Sequence, residues 1–477
     1  MDSKMVSARY LHFLRAVFYG SFIILMIAPL RAGVTYDTSK HGNPDTGVFR
    51  NPSDVRGACA QCHESHGSRD GVPNGGTFDH TLFRTDDETL CYECHTTPGA
   101  HEIYPGNLLW ADSTHALSPA MYWPGPVPAE RNASDAGKCV NCHDPHGADD
   151  ANGVIPSMLR LREETLCYGC HDGSPSKDIK AQFARTYRHP VATTARHDAT
   201  EGTSVDPARF GATPDNNRHA ECADCHNTHV ARADAIAPLA PEASQRIVGV
   251  ARIEVLNGAA GTRPVYTWRG AGDLSLASEY QICFKCHSSW TELPAVRSDH
   301  ATLTNPNNPS FHPIQAEGKN RNIAPEAFAN GWTWDRLVYC SDCHGSDDPF
   351  VRGPHGSSFP SILKASYPAS PAPRTMVDSD LCFSCHRYDV YANAGSANAT
   401  QQASRFNGPN GRGHAFHIGE QQVPCYACHT THGSTTRPSL IVTGRNPGIT
   451  SYTQSAAGGT CTATCHGSQS YSVNYPR

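Results

Sequence analysis

Among the 477 residues no long apolar run occurs after Leu30, and methionine is scarce. Each shortage excludes something. Without a further long apolar run, no helix beyond the N-terminal segment is expected to cross a bilayer. Only 38% of the chain is hydrophobic and 8% aromatic, and 40 glycines and 35 prolines interrupt any long element. A chain of this length normally buries a large aliphatic core; this one lacks the side chains for it. Of the 6 methionines, Met1, Met5 and Met26 fall in the N-terminal segment, leaving Met121, Met158 and Met376. Thioether ligation therefore cannot serve many metal centres. A strong charge of either sign is also missing. The formal net charge of −6 is mildly acidic, which argues against nucleic acid as a partner.

The N-terminus reads as export. Lys4, Arg9 and Arg15 precede an apolar run from Ala16 to about Leu30, then the small residues Ala32 and Gly33. That is the layout of a signal peptide over residues 1–32, and the run is short for a membrane span. An uncleaved anchor is the alternative, because Leu30 and Arg31 make a poor cleavage site. The mature chain is expected to work in the periplasm or outside the cell, with no membrane span after signal removal.

No cysteine is left unpaired. All 20 fall in ten motifs. Nine are Cys-x-x-Cys-His: Cys59, Cys62 and His63; Cys91, Cys94 and His95; Cys139, Cys142 and His143; Cys167, Cys170 and His171; Cys222, Cys225 and His226; Cys283, Cys286 and His287; Cys340, Cys343 and His344; Cys382, Cys385 and His386; Cys425, Cys428 and His429. The tenth, Cys461, Cys465 and His466, has one more intervening residue. In this spacing two thiols add across the vinyl groups of one haem, and the next His falls under the iron. Zinc would need two Cys-x-x-Cys pairs per metal and no His after each. A disulfide framework leaves the histidines unexplained. The reading is ten covalent haem c groups, with the porphyrins standing in for the missing aliphatic core.

The motifs pair. The first of a pair reads CAQCHESHG (59–67), CVNCHDPHG (139–147), CADCHNTHV (222–230) or CYACHTTHG (425–433); the second follows Leu or Ile in TLCYECH, TLCYGCH, QICFKCH and DLCFSCH. Such self-similarity predicts tandem di-haem units at 33–101, 102–182, 183–297, 298–395 and 396–477. The fourth departs from the pattern, its second His being displaced to His355. In the third, Ala251, Ile253 and Val255 alternate with polar residues before Asn257-Gly258, and TRPVYTWRG resumes strand character. This predicts a β-hairpin insert at about 246–269, either a flap over haem edges or a subunit contact.

On these motifs the chain resembles the doubled-CXXCH multihaem cytochromes of bacterial electron transfer, related to class III cytochromes c. It is similar, more loosely, to extracellular cytochromes that polymerise into haem filaments. The resemblance covers essentially the whole mature chain. It implies bis-histidine haems stacked into a wire. The fold class expected is a haem-cored cytochrome, mostly coil with short helices and a minor β-hairpin, in five tandem di-haem units.

Ten irons need ten more ligands, and histidine is abundant at 27. His66, His146, His229 and His432 lie three residues after a proximal His. They project from the same short turn, on the same side of the porphyrin, so each must reach a neighbouring motif's iron. His355 is the substitute in the fourth unit. The other candidates lie upstream of each pair: His417 at the spacing usual in the family, His189 and His312 in family-like His-Pro, and His115 and His41 in the equivalent slots. His80, His101, His197, His219, His300 and His414 are left as spares, with His414 and His417, and His300 and His312, exchangeable.

With every iron doubly ligated, the chain is expected to carry electrons and not to catalyse. Its partners would be other redox proteins or extracellular acceptors. A multihaem reductase of the nitrite or hydroxylamine type is the alternative; it needs one open haem, often marked by Cys-x-x-Cys-Lys, which does not occur here. Self-association into filaments is a special case, with His41 on an extended arm ligating a haem of the next copy.

Overall fold

The computed structural model describes residues 34–64, 81–83, 88–95, 110–122, 137–151, 153–191, 220–291, 297–321, 323–406 and 412–473. Residues 1–32, expected to be a signal peptide, and His66, His80, His101, His197 and His219 lie outside them. The chain splits into two compact units, Met1–Leu90 with Cys142–Leu161, and Cys91–Asn141 with Arg162–Arg477.

Glycine and proline keep the elements short. The longest described helix, Glu279–His287, has 9 residues. The first motif of each pair occupies a single turn. Cys59–Gln61 and Cys139–Asn141 are 3-10 turns. Cys222–Cys225, Cys340–Cys343 and Cys425–Cys428 are single α-turns. The turn closes when the His amide donates to the first cysteine's carbonyl, as in His226 to Cys222 at 2.8 Å and His344 to Cys340 at 2.9 Å. Second motifs follow or end longer helices, Glu88–His95, Glu163–Tyr168 and Glu279–His287, except at the 3-10 turn Leu381–Ser384 and at the tenth motif, whose Cys461 lies in the strand Gly458–Ala463.

A second turn recurs after first motifs. Ser157 and Met158, Ser361 and Ile362, and Ser439 and Leu440 all have φ between 52° and 60°. Two successive left-handed residues are unfavourable for L-amino acids. Paired backbone bonds to the motif hold them there: Asp144 to Met158 at 2.7 Å with Arg160 to Cys142 at 2.9 Å, and Gly345 to Ile362 at 2.7 Å with Lys364 to Cys343 at 3.0 Å.

In the first unit, strands β1 (Asp149–Asp150) and β2 (Gly153–Val154) make a short hairpin. In the second, β3 (Tyr187–Arg188) pairs with β7 (Gly356–Ser357), and β6 (Ser310–Phe311) with β8 (Gly433–Ser434). The glycines are required by close approach. A Cβ on Gly356 would lie 1.9 Å from the Gln182 carbonyl oxygen, and one on Gly433 1.8 Å from that of Leu303. Both follow a histidine, His355 or His432, so these two-residue ladders fix where those imidazoles stand.

The expected hairpin is present as β4 (Arg252–Leu256) and β5 (Val265–Arg269). Asn257-Gly258 does not form a tight turn; the connection runs from 257 to 264. Its tip is tied to the loop at 305–308. Asn305 and Asn307 donate to the Gly258 carbonyl, at 3.2 and 2.8 Å, and Gly261 donates to Asn308 at 2.9 Å. Strict alternation fails because Arg252 is buried beside Ile253, its guanidinium bonded to Asp273 and Ser275. A three-stranded sheet of β9 (Ile449–Ser455), β10 (Gly458–Ala463) and β11 (Gln469–Ser472) was not expected from the sequence.

Apolar packing is divided into small clusters: Ile253, Phe284, Trp290 and Ala301; Ala243, Val250, Ala277 and Ile282; Met376, Phe383, Ala392 and Ile418. The chain is thus mostly coil with short helices and small sheets. Among the described residues no helix is long and apolar enough to cross a membrane.

Candidate haem sites

Once turns have set the motif histidines, second imidazoles stand opposite them at one repeated separation. Ring centroids lie 6.1 Å apart for His63 and His146, 6.2 Å for His171 and His115, and 6.0 Å for His226 and His355. The same holds for His287 and His189 at 6.2 Å, His344 and His432 at 6.1 Å, His429 and His414 at 6.1 Å, and His466 and His417 at 6.2 Å. Iron–imidazole bonds of about 2 Å put two rings on opposite porphyrin faces with centroids roughly 6 Å apart. The residues therefore fit bis-imidazole haem.

In three of these pairs the second ring belongs to a histidine that follows another motif in the chain. His146 stands against the histidine of the first motif, His355 against that of the fifth and His432 against that of the seventh. His143, His226 and His344, the proximal residues of first-of-pair motifs, are held from behind. Each shares its Nδ1 with a carbonyl: Ser157 at 3.0 Å, Arg246 at 3.0 Å and Ser361 at 2.8 Å. His429 does the same with Ser439 at 2.9 Å. Three of these carbonyls belong to the left-handed serines. An Nδ1 bonded to the backbone leaves Nε2 as the ligating nitrogen.

The upstream histidines follow one rule. His41 donates from Nδ1 to Pro145, His115 to Thr228, His189 to Pro354 and His312 to Thr431. Each acceptor immediately precedes His146, His229, His355 or His432. Two candidate ligands of different motifs are thereby built as one rigid piece. Met376 packs in an apolar cluster and supplies no opposing ligand to these pairs.

Burial keeps the imidazoles neutral. Burial pushes His171 down to about 4, with His115 and His226 adding to it. Burial likewise lowers His355 and His432 to about 3. For His386 it gives about 4, with His312 and His429 contributing. A neutral ring presents the lone pair that iron needs. His146 differs: its bond to the Asp144 carboxylate raises it.

His414, a spare in the sequence reading, faces His429, while His417 faces His466. Both stand where a ligand would. His300 lies 6.1 Å from His287 and 4.4 Å from His432; its buried Nδ1, like those of His355, His386 and His414, has no hydrogen-bond partner among the described residues. His189, anchored on Pro354 at 2.6 Å, is the better oriented of the two rings beside His287.

The cysteines approach one another in motif order. The Cys222 thiol contacts Cys167, and that contact with burial raises it. Cys283 meets Cys340, and Cys382 meets Cys425, in the same way. Between these contacts Cys225 senses Cys283, Cys343 senses Cys385, and Cys428 senses Cys461. With haem attached each sulfur is a thioether, so the contacts bring successive attachment points together. The Sγ atoms of Cys283 and Cys340 and a Glu279 oxygen lie within 4.8 Å of one another. Both sulfurs belong to haem motifs, so this is a junction and not a separate metal site. Glu279 accepts from the Ser341 amide at 2.9 Å and hydroxyl at 2.6 Å; Glu163 accepts from the Ala223 amide at 2.5 Å. Buried Lys285, inside the sixth motif, donates to the Asp224 carbonyl of the fifth at 2.7 Å.

A family model for the doubled CXXCH motif matches residues 132–175, which hold the third and fourth motifs. No curated protein and no solved structure matches the chain. The doubled CXXCH motif, which implies covalent haem c, points to a multihaem c-type cytochrome.

Proposed function

We propose that this chain is an electron conduit of ten haems in five tandem di-haem units, exported from the cytoplasm and without substrate chemistry of its own. The observation that carries the reading is the repeated imidazole separation, 6.0 to 6.2 Å at seven of the motif histidines. Bound haem supplies one-electron exchange at iron. The chain's own groups do the rest. His63, His171, His226, His287, His344, His429 and His466 would each hold a haem together with His146, His115, His355, His189, His432, His414 and His417 respectively. His312 completes the eighth site with His386. For His95 and His143 the candidates left are His41, His66 and His229.

Carbonyls behind the rings fix which nitrogen ligates and raise its basicity. Two protein ligands on an iron leave no position for nitrite, hydroxylamine or another small substrate. Histidine pairs also set potentials low relative to Met/His cytochromes. Contacts between cysteines of successive motifs, from Cys167 to Cys461, favour exchange in sequence order. Partners are then other redox proteins or an extracellular acceptor. The bond from His41 to Pro145 supports an N-terminal segment folded onto its own chain, against an arm reaching another copy.

Carbon monoxide tests the proposal, because it binds only an iron with an open or weakly held position. The reduced holoprotein should give no stoichiometric carbon monoxide adduct. One adduct per chain would overturn the conduit reading and favour a reductase.

A further inference from the structure

Between Arg445 and Arg477 the chain contains no Asp, Glu, Lys or Arg. This neutral stretch builds the sheet ordered β11-β10-β9. The tenth motif sits on it: Cys461 lies in β10, and Cys465 and His466 follow that strand. Strand β9 is an edge. Its inner side pairs with β10 from Ile449 to Ser455, and on its outer side the described residues show only the single bridge of Thr443 to Ile449. Thr450, Ser451, Thr453, Gln454 and Ser455 are exposed.

An exposed edge carries unpaired amides and carbonyls, and proteins usually guard it with lysine, proline or a short length. β9 has 7 residues and neither lysine nor proline. The two five-residue strands are charged, β4 with Arg252 and Glu254 and β5 with Arg269. The missing charge selects the occupant. A two-fold axis sets a strand antiparallel to its own copy, where charges of one sign would confront each other. A neutral Thr/Ser/Gln strand meets no such repulsion. A charged partner gains nothing from a surface without charge.

We propose that β9 is a self-association edge, on which two copies of this chain pair their Thr450–Ser455 segments antiparallel into one six-stranded sheet. The two Cys461-bearing strands would then be three strand spacings apart, roughly 14 Å. Resting on the conduit reading for its consequence, this joins two wires at their tenth-motif ends.

The test is sedimentation velocity of the haem-loaded protein over a concentration series, with haem per chain measured on the same samples. The wild type should dimerise. Thr453→Lys should weaken the dimer more than about tenfold through like-charge opposition, with haem content unchanged. Gln469→Lys, on the opposite edge strand β11, should leave it intact. A wild type that is monomeric throughout overturns the proposal. So does a dimer indifferent to Thr453→Lys, or one lost equally to Gln469→Lys. None of these results touches the conduit reading, which the carbon monoxide experiment decides separately.

Discussion

In the conduit reading a single imidazole has two tasks: to present Nε2 to an iron and to hold still. The backbone carbonyls at Ser157, Ser361 and Ser439 meet the second demand for three motif histidines. Part of this was legible in the residues. A histidine three places after a proximal one cannot reach the far face of its own haem, and His146 stands 6.1 Å from His63. That His414 and His417 would each face a different motif histidine was not legible. They are also three residues apart, but the backbone between them enters the π-turn Phe416–Glu420, and they face different partners. Spacing alone could not separate them. His414→Met should therefore raise the potential of one haem by on the order of 100 mV. His300→Ala should leave every haem spectrum unchanged, because its ring is a bystander. Potentiometry of both variants checks this; a shift in His300→Ala with none in His414→Met would reverse the assignment.

At the scale of elements, stability comes from short pieces locked to the next motif. Lys285 is buried and bonded to Asp224 of the preceding motif. Lys285→Met leaves that acidic site without its cation, which typically costs about 3 kcal/mol. The guanidinium midpoint of the holoprotein should fall accordingly, and an unchanged midpoint would show the pair to be incidental. Gly433 has no room for a Cβ against the Leu303 carbonyl. Gly433→Ala should thus cost more than about 2 kcal/mol and loosen the segment around His312, seen as faster proteolysis near 305–315. Wild-type stability and protection would contradict the close-approach argument. The glycine after HxxH was visible in the sequence, but its reason was not, since the strand it meets lies far along the chain. The left-handed Ser157-Met158 turns were also hidden. Local propensity opposes them, and only their bonds to the motif backbone explain them. The sheet of β9 to β11 was missed because its Thr, Ser and Gly residues alternate too weakly in hydrophobicity.

For the whole molecule, the claim is that haem sites replace an aliphatic core and, from the fourth motif to the tenth within the second unit, follow one another in motif order. The scarcity of hydrophobic residues predicted that no single large aliphatic core forms, and the described residues pack in small clusters around Ile253, Ile282 and Phe383. Order in space was beyond sequence reasoning, because contacts such as Cys283 with Cys340 depend on how helices of different motifs cross. Intact mass of the exported holoprotein should exceed the polypeptide by ten haems; nine would mean that the strand-borne site at Cys461 and Cys465 stays unattached. The most direct test of the central claim is electron paramagnetic resonance of the fully oxidised holoprotein, integrated against haem content. Ten imidazole-paired irons predict low-spin ferric signals alone, accounting for all the haem. A high-spin signal of one iron per chain would contradict the account.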